Sequence, residues 1–129
     1  MTTASRMLQA YLSALTARDL SAIEKISASG SLMEIPFIKP NRLVGNNEIV
    51  KAHREMFANL AEIDFELLDS SADNNHAIGH GRLNYVRNGG DRNSLPAAIV
   101  IQAAGDSLAR MTLYCDARNL RPWSDKSIM

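Results

Sequence analysis

Residues 11–60, YLSALTARDL SAIEKISASG SLMEIPFIKP NRLVGNNEIV KAHREMFANL, decide the fold, because two short helical patterns, a strand and a third helix all precede any further strand. Met7, Leu8, Tyr11, Leu12 and Leu15 recur at the helical period and make one apolar stripe, with Gln9, Ser13 and Thr16 opposite. Asp19 has the chemistry of an N-cap: its carboxylate can accept orphan backbone N–H groups at the start of a second helix that buries Leu20, Ile23 and Ile26 and ends before Gly30. Residues 31–37 predict a strand that stops at Pro36 and Pro40, which cannot donate ladder hydrogen bonds. After a loop, Gly45 and Asn46 precede a helix expected over about 48–60, whose one face carries Ile49, Ala52, His53, Met56, Phe57 and Leu60.

Beyond Leu60 the period changes to two. Ile63, Phe65 and Leu67 alternate with Glu62, Asp64 and Glu66, as in a strand with one buried face. Turn residues recur at Asp73, Asn74 and Asn75, at Asn88, Gly89 and Gly90, and at Gly105 and Asp106, so four antiparallel strands are expected near 62–71, 76–87, 95–104 and 107–116. An all-strand second half must fold as one sheet. The expected class is therefore α+β: a cone-shaped fold with three N-terminal helices packed in a curved, mainly antiparallel β-sheet, a cup with an inside.

A length of 129 residues fits one domain, with a core over about 6–120 and a tail at 121–129 that holds Pro122 and Trp123. Fourteen basic and fourteen acidic residues cancel, and no Lys/Arg stripe gathers, which argues against nucleic acid and anionic membrane surfaces as partners. The polar start, 1–6, and the interrupted apolar residues after it show neither a secretory core nor a spanning run. A soluble, cytoplasmic protein is expected. The single cysteine, Cys115, excludes an internal disulfide and a Cys-based zinc site.

The element order, with Tyr11, Leu15, Asp19, Leu20 and Ile23, then Glu34 and Pro36, Gly45 and Ile49, and Tyr114 with Asp116, resembles the nuclear transport factor 2-like superfamily, in particular its SnoaL-like and ketosteroid isomerase-like members. The resemblance covers about residues 6–120. It implies a ligand-binding cup and a homodimer, but no single activity, because this fold hosts isomerases, dehydratases, epoxide hydrolases, cyclases and proteins without catalysis. By the same resemblance, Tyr11 matches the isomerase's oxyanion-hole tyrosine and His53 falls where a second tyrosine bonds to the first. Ile35 stands where the isomerase has its aspartate base, Glu34 should point to the opposite face, and Ala97 replaces the second oxyanion aspartate.

If Ile35 faces the cup, so do Met33 and Phe37. Alternation adds Ala77, Gly79, Gly81, Leu83 and Tyr85, then Ala97, Ile99 and Ile101, then Met111, Leu113 and Cys115, with Leu15 and Phe57 from the helices. Gly79 and Gly81 either leave volume in the wall or relieve crowding where the sheet bends. The lining is apolar, with Tyr11, His53, Tyr85 and Cys115 as its groups able to exchange protons, which suits a small hydrophobic ligand fixed by a few polar contacts. Tyr11 and His53 are the leading catalytic candidates: histidine titrates near neutrality and a tyrosine hydroxyl can donate to a developing oxyanion. The competing reading is that His53 merely satisfies Tyr11 inside a core.

Other candidates are weaker. His76 and His80 share a strand face but lie about 13 Å apart, too far for one metal ion, so neither a metal nor a cofactor is expected. His80, Arg82, Tyr114 and Asp116 fall by parity on the outer face, which suits a solvated or dimer-facing surface. Cys115 between apolar neighbours reads as an inert thiol, and Met33, Met56 and Met111 as adaptable packing. Gly89 and Gly90 belong to a hairpin, not to a phosphate loop. Trp123 is expected over the cup's mouth or against a partner subunit. Three functions stay open: an acid–base enzyme acting on an apolar carbonyl or cyclic compound, a non-catalytic binding protein, or a closed cup whose outer sheet makes a dimer.

Overall fold

Thr2 starts the first helix by accepting the Ser5 N–H on its hydroxyl at 3.1 Å, in a computed structural model that describes residues 2–27, 30–36, 41–90 and 92–115. That helix, α1 (Thr3–Ala17), buries Ala4, Leu8, Tyr11, Ala14 and Leu15. It ends at Arg18, whose left-handed backbone (φ 51°) turns the chain sharply, and Arg18 Nη1 donates to Leu60 O at 2.8 Å. Asp19 then caps α2 (Leu20–Ile26) by accepting the Ala22 N–H at 3.2 Å, as its position in the sequence predicts.

The first strand, β1 (Leu32–Glu34), is shorter than the expected 31–37, and Phe37 lies outside the described residues. The Ile35 N–H continues its edge by donating to Asn41 O at 2.9 Å. Part of the expected loop is a strand, β2 (Arg42–Val44), antiparallel to β1. Three residues are too few to show a period, so only pairing reveals it. The third helix, α3 (Gly45–Ala58), starts and ends earlier than expected. Gly45 (φ 86°) supplies a backbone conformation that other residues resist, and Glu48 Oε1 accepts the Val44 N–H at 2.9 Å at the helix start. Asn46 ties this helix to α2: its side-chain amide donates to Glu24 O at 2.9 Å and to Ser27 O and Oγ at 3.1 Å.

The expected four-strand meander is present as β3 (Leu60–Ala72), β4 (His76–Arg87), β5 (Arg92–Ala104) and β6 (Ser107–Tyr114). The sheet order is β2-β1-β6-β5-β4-β3, antiparallel throughout except where β1 runs parallel to β6. Pro96 sits inside β5, in register with Arg82 of β4.

Register defines the face that meets the helices. One row runs Ala72, Ala77, Ile101, Met111, Met33, Leu43 across all six strands. α1 packs against β3, β4 and β5, and α3 against β1, β2 and β3. The inward residues expected by alternation on β1, β4, β5 and β6 are buried, from Met33 and Ile35 through Ala77, Leu83, Tyr85, Ala97, Ile99 and Ile101 to Met111, Leu113 and Cys115. On β3, Ile63 and Phe65 are buried, whereas Leu67, expected with them and next to the register shift at Asp69, is exposed. Burying such a face is the main favourable term in folding.

The two strand glycines are resolved in favour of crowding. A β-bulge between Leu67 and Asp69 pushes the β3 backbone toward β4, and a side chain on Gly81 would overlap the Glu66 carbonyl. At Gly79 the space is taken by Leu67 Cδ1 and Leu8 Cδ2, which lie 2.8 and 3.1 Å from where a Cβ would stand. Neither glycine leaves open volume in the wall.

Candidate active site

Tyr11 projects from α1 and His53 from α3, and both are buried, each 2 % exposed. The Tyr11 hydroxyl lies 2.8 Å from His53 Nε2, with the rings edge to face at a centroid distance of 5.6 Å. His53 Nδ1 lies 2.7 Å from the carbonyl oxygen of Ile49, one helical turn back, and Phe57 packs against the imidazole from the next turn at 6.0 Å.

These distances assign the protons. A carbonyl oxygen only accepts, so Nδ1 carries the imidazole hydrogen and Nε2 of the neutral ring is an acceptor. Tyr11 is therefore the donor in the pair. Burial, and secondarily the proximity of Cys115, hold the Tyr11 hydroxyl well above the usual tyrosine range, so it remains a neutral phenol at physiological pH. The Nε2 lone pair of His53 is engaged by Tyr11.

Most of the surrounding described side chains are apolar. Ile35 is buried and offers no carboxylate, while Glu34 points to the other face, where Arg110 Nε approaches it at 3.4 Å and the Thr112 hydroxyl at 3.5 Å. Leu15, Phe57, Leu83, Tyr85, Ile99, Met111 and Leu113 are buried with Tyr11 in one core cluster. His80 and Tyr114 are exposed on the outer face and Arg82 is half-buried there. Arg82 is held by Ser94, accepting at 2.6 Å on its hydroxyl and 3.0 Å on its carbonyl oxygen. Asp116, Pro122 and Trp123 lie outside the described residues. No group of three or more His, Cys, Asp and Glu side chains that could hold a metal ion occurs among the described residues, and none of their helices is long and apolar enough to cross a membrane.

Two features escape sequence reasoning. The Ile49 carbonyl sets the histidine tautomer, but a backbone atom leaves no signature beyond the spacing of four. A groove of about 640 Å³ opens where α1 ends against β3, β4 and β5, lined by Thr16, Arg18, Glu62, Asp64, Asn93 and Ser94 among others. Of the expected lining residues only Tyr85 borders it. Arg18 reaches it because its left-handed turn swings the side chain toward Leu60, a placement that a period count does not reveal.

Residues 8–111 match the family model of the SnoaL-like domain. The fold is similar to that of a candidate SnoaL-like polyketide cyclase from Shewanella denitrificans, at 13 % identity over 90 % of this chain and 92 % of that one, with a TM-score of 0.78. It is also similar to an epoxide hydrolase of the LEH-like type from M. tuberculosis (16 % identity, 92 % and 86 % of the chains, TM-score 0.76). A third similar structure, from Catenulispora acidiphila, has a ketosteroid isomerase-like fold and was determined in complex with trimethylamine (13 % identity, 84 % and 83 %, TM-score 0.75). Identities this low speak for the fold and leave activity open. No curated protein matches the chain in sequence. Three helices on a six-stranded mixed sheet among the described residues, and a family match over most of the chain, make this protein a member of the SnoaL-like domain family with a nuclear transport factor 2-like α+β fold.

Proposed function

We propose that this SnoaL-like protein binds a small, mainly apolar carbonyl or cyclic molecule on the helix-facing side of its sheet and moves protons on it through Tyr11 and His53. The observation that carries this reading is the buried 2.8 Å hydrogen bond between them, a titratable pair in a mainly apolar lining, with the histidine tautomer set by Ile49. Buried polar groups in a core cost stability unless paired, and this pair is matched on both imidazole nitrogens. Tyr11 would meet the ligand and His53 would store the proton. Reactions of isomerase, cyclase, dehydratase or hydrolase type fall within that chemistry, and the cyclase and epoxide hydrolase among the similar structures point the same way.

Ile35 favours a second reading, a non-catalytic binding protein, because the position that resembles the isomerase's base has no proton acceptor. Under either reading we take the chain as one cytoplasmic domain that dimerises through the outer sheet face, where Ile78 and Tyr114 are exposed apolar groups. The test is turnover of a panel of cyclic alcohols, phenols, enols, ketones, enones and epoxides followed by NMR, with folding of each variant checked by circular dichroism. Catalysis requires product from the wild type and none from His53→Ala. Binding altered by Tyr11→Phe, with no product from any variant, supports the second reading. No binding by the wild type leaves the pair a core contact and rejects both.

A further inference from the structure

We infer that the ligand carries a hydroxyl group, as an alcohol, phenol or enol, and that it binds by donating this hydrogen to the Tyr11 oxygen. The inference rests on the ligand-binding reading above and adds the class of ligand. Its basis is hydrogen-bond bookkeeping. The Ile49 carbonyl at 2.7 Å places the imidazole proton on Nδ1, so Nε2 takes the Tyr11 hydrogen across 2.8 Å. Tyr11 has one hydrogen, and it is committed to His53. What the phenol can still offer is lone pairs, so the resting pair presents an acceptor.

A ketone oxygen brought to Tyr11 would meet another acceptor, and both would lose their aqueous partners on burial without gaining a hydrogen bond. An alcohol of the same shape completes the chain ligand O–H to Tyr11 O–H to His53 Nε2, with Nδ1–H on Ile49. Among the described residues Cys115 also lies near Tyr11, and its thiol is a weak donor that a hydroxyl outcompetes. With an acidic enol or phenol the same chain carries a proton inward: the ligand O–H bond breaks, its proton joins Tyr11, and the former Tyr11 proton joins Nε2. The products are a ligand anion, a neutral tyrosine and an imidazolium, with atoms and charge balanced.

The experiment has two arms on the intact protein. Long-range nitrogen–proton NMR of the labelled His53 ring should show Nδ1 protonated and Nε2 bare near neutral pH; a proton on Nε2 with Nδ1 bare overturns the inference without any ligand. Titration with the matched probes 1-indanol and 1-indanone, and cyclohexanol and cyclohexanone, should favour each alcohol about tenfold or more, a preference erased in Tyr11→Phe. Equal or tighter binding of the ketones overturns the inference while leaving the ligand-binding reading intact. Absence of binding by all four overturns the ligand-binding reading, and this one with it.

Discussion

Tyr11 and His53, 42 residues apart in the chain, meet at 2.8 Å with the tyrosine as donor, and this direction follows from a third residue, Ile49, whose carbonyl holds the opposite imidazole nitrogen. A pair so buried is either an instrument of binding or a matched core contact. Both readings predict the same stability pattern.

Tyr11→Phe leaves Nε2 of His53 buried without its donor and should destabilise the fold by about 1–3 kcal/mol. His53→Leu strands the tyrosine hydroxyl at a similar cost. Because each single change orphans the other's partner, the double variant should lose less than the sum, with a coupling of about 1–2 kcal/mol. Urea unfolding of the four proteins measures it, and strict additivity would contradict the hydrogen bond.

Gly81→Ala and Gly79→Ala should differ sharply. At Gly81 the added methyl overlaps the backbone carbonyl of Glu66, which cannot move without breaking the bulge, so a loss of about 2–4 kcal/mol is expected. At Gly79 it meets the ends of two leucine side chains, Leu67 and Leu8, which can change rotamer, and about 1 kcal/mol is expected. Thermal denaturation that ranks Gly79→Ala as the worse change would contradict this account of the bulge.

Asn46 gives a test of how the short second helix is held. Its amide supplies donors to Glu24 and Ser27 at the end of α2, so Asn46→Asp, which keeps the shape and removes the donors, should cost about 1–3 kcal/mol. Amide exchange within residues 20–26 should accelerate before the sheet responds. Unchanged protection there would show that α2 is held by its apolar face alone.

Asp73 introduces a pH dependence at the first hairpin. The N–H groups of Asn75 and His76 donate to its carboxylate at 2.9 and 2.8 Å and hold its pKa below the ordinary 3.8. A carboxylate depressed on folding contributes stability above its unfolded value, and that contribution disappears as pH falls through the folded value. Asp73→Asn should therefore be less stable than the wild type at pH 6, with the gap closing below about pH 4. Because Asp73 is exposed, the effect is small and weakens in salt. A gap that persists unchanged at low pH would rule out the charge as its source.

The chain alone determined what depends on near neighbours. Period-three-to-four and period-two spacing identified the helices and the buried sides of the long strands, and Asp19 announced its helix, because amphipathicity and capping act over a few residues. It also put Tyr11 and His53 on inward faces. Only the tertiary structure decided the rest. β2 exists because β1 pairs with it, Gly81 is needed because the β3 backbone beside the bulge crowds it, and the proton in the Tyr11–His53 bond points one way because a backbone carbonyl and two helices are brought together. Such contacts join distant segments, and their hydrogen-bond directions are set by atoms common to every residue. No side-chain pattern records them.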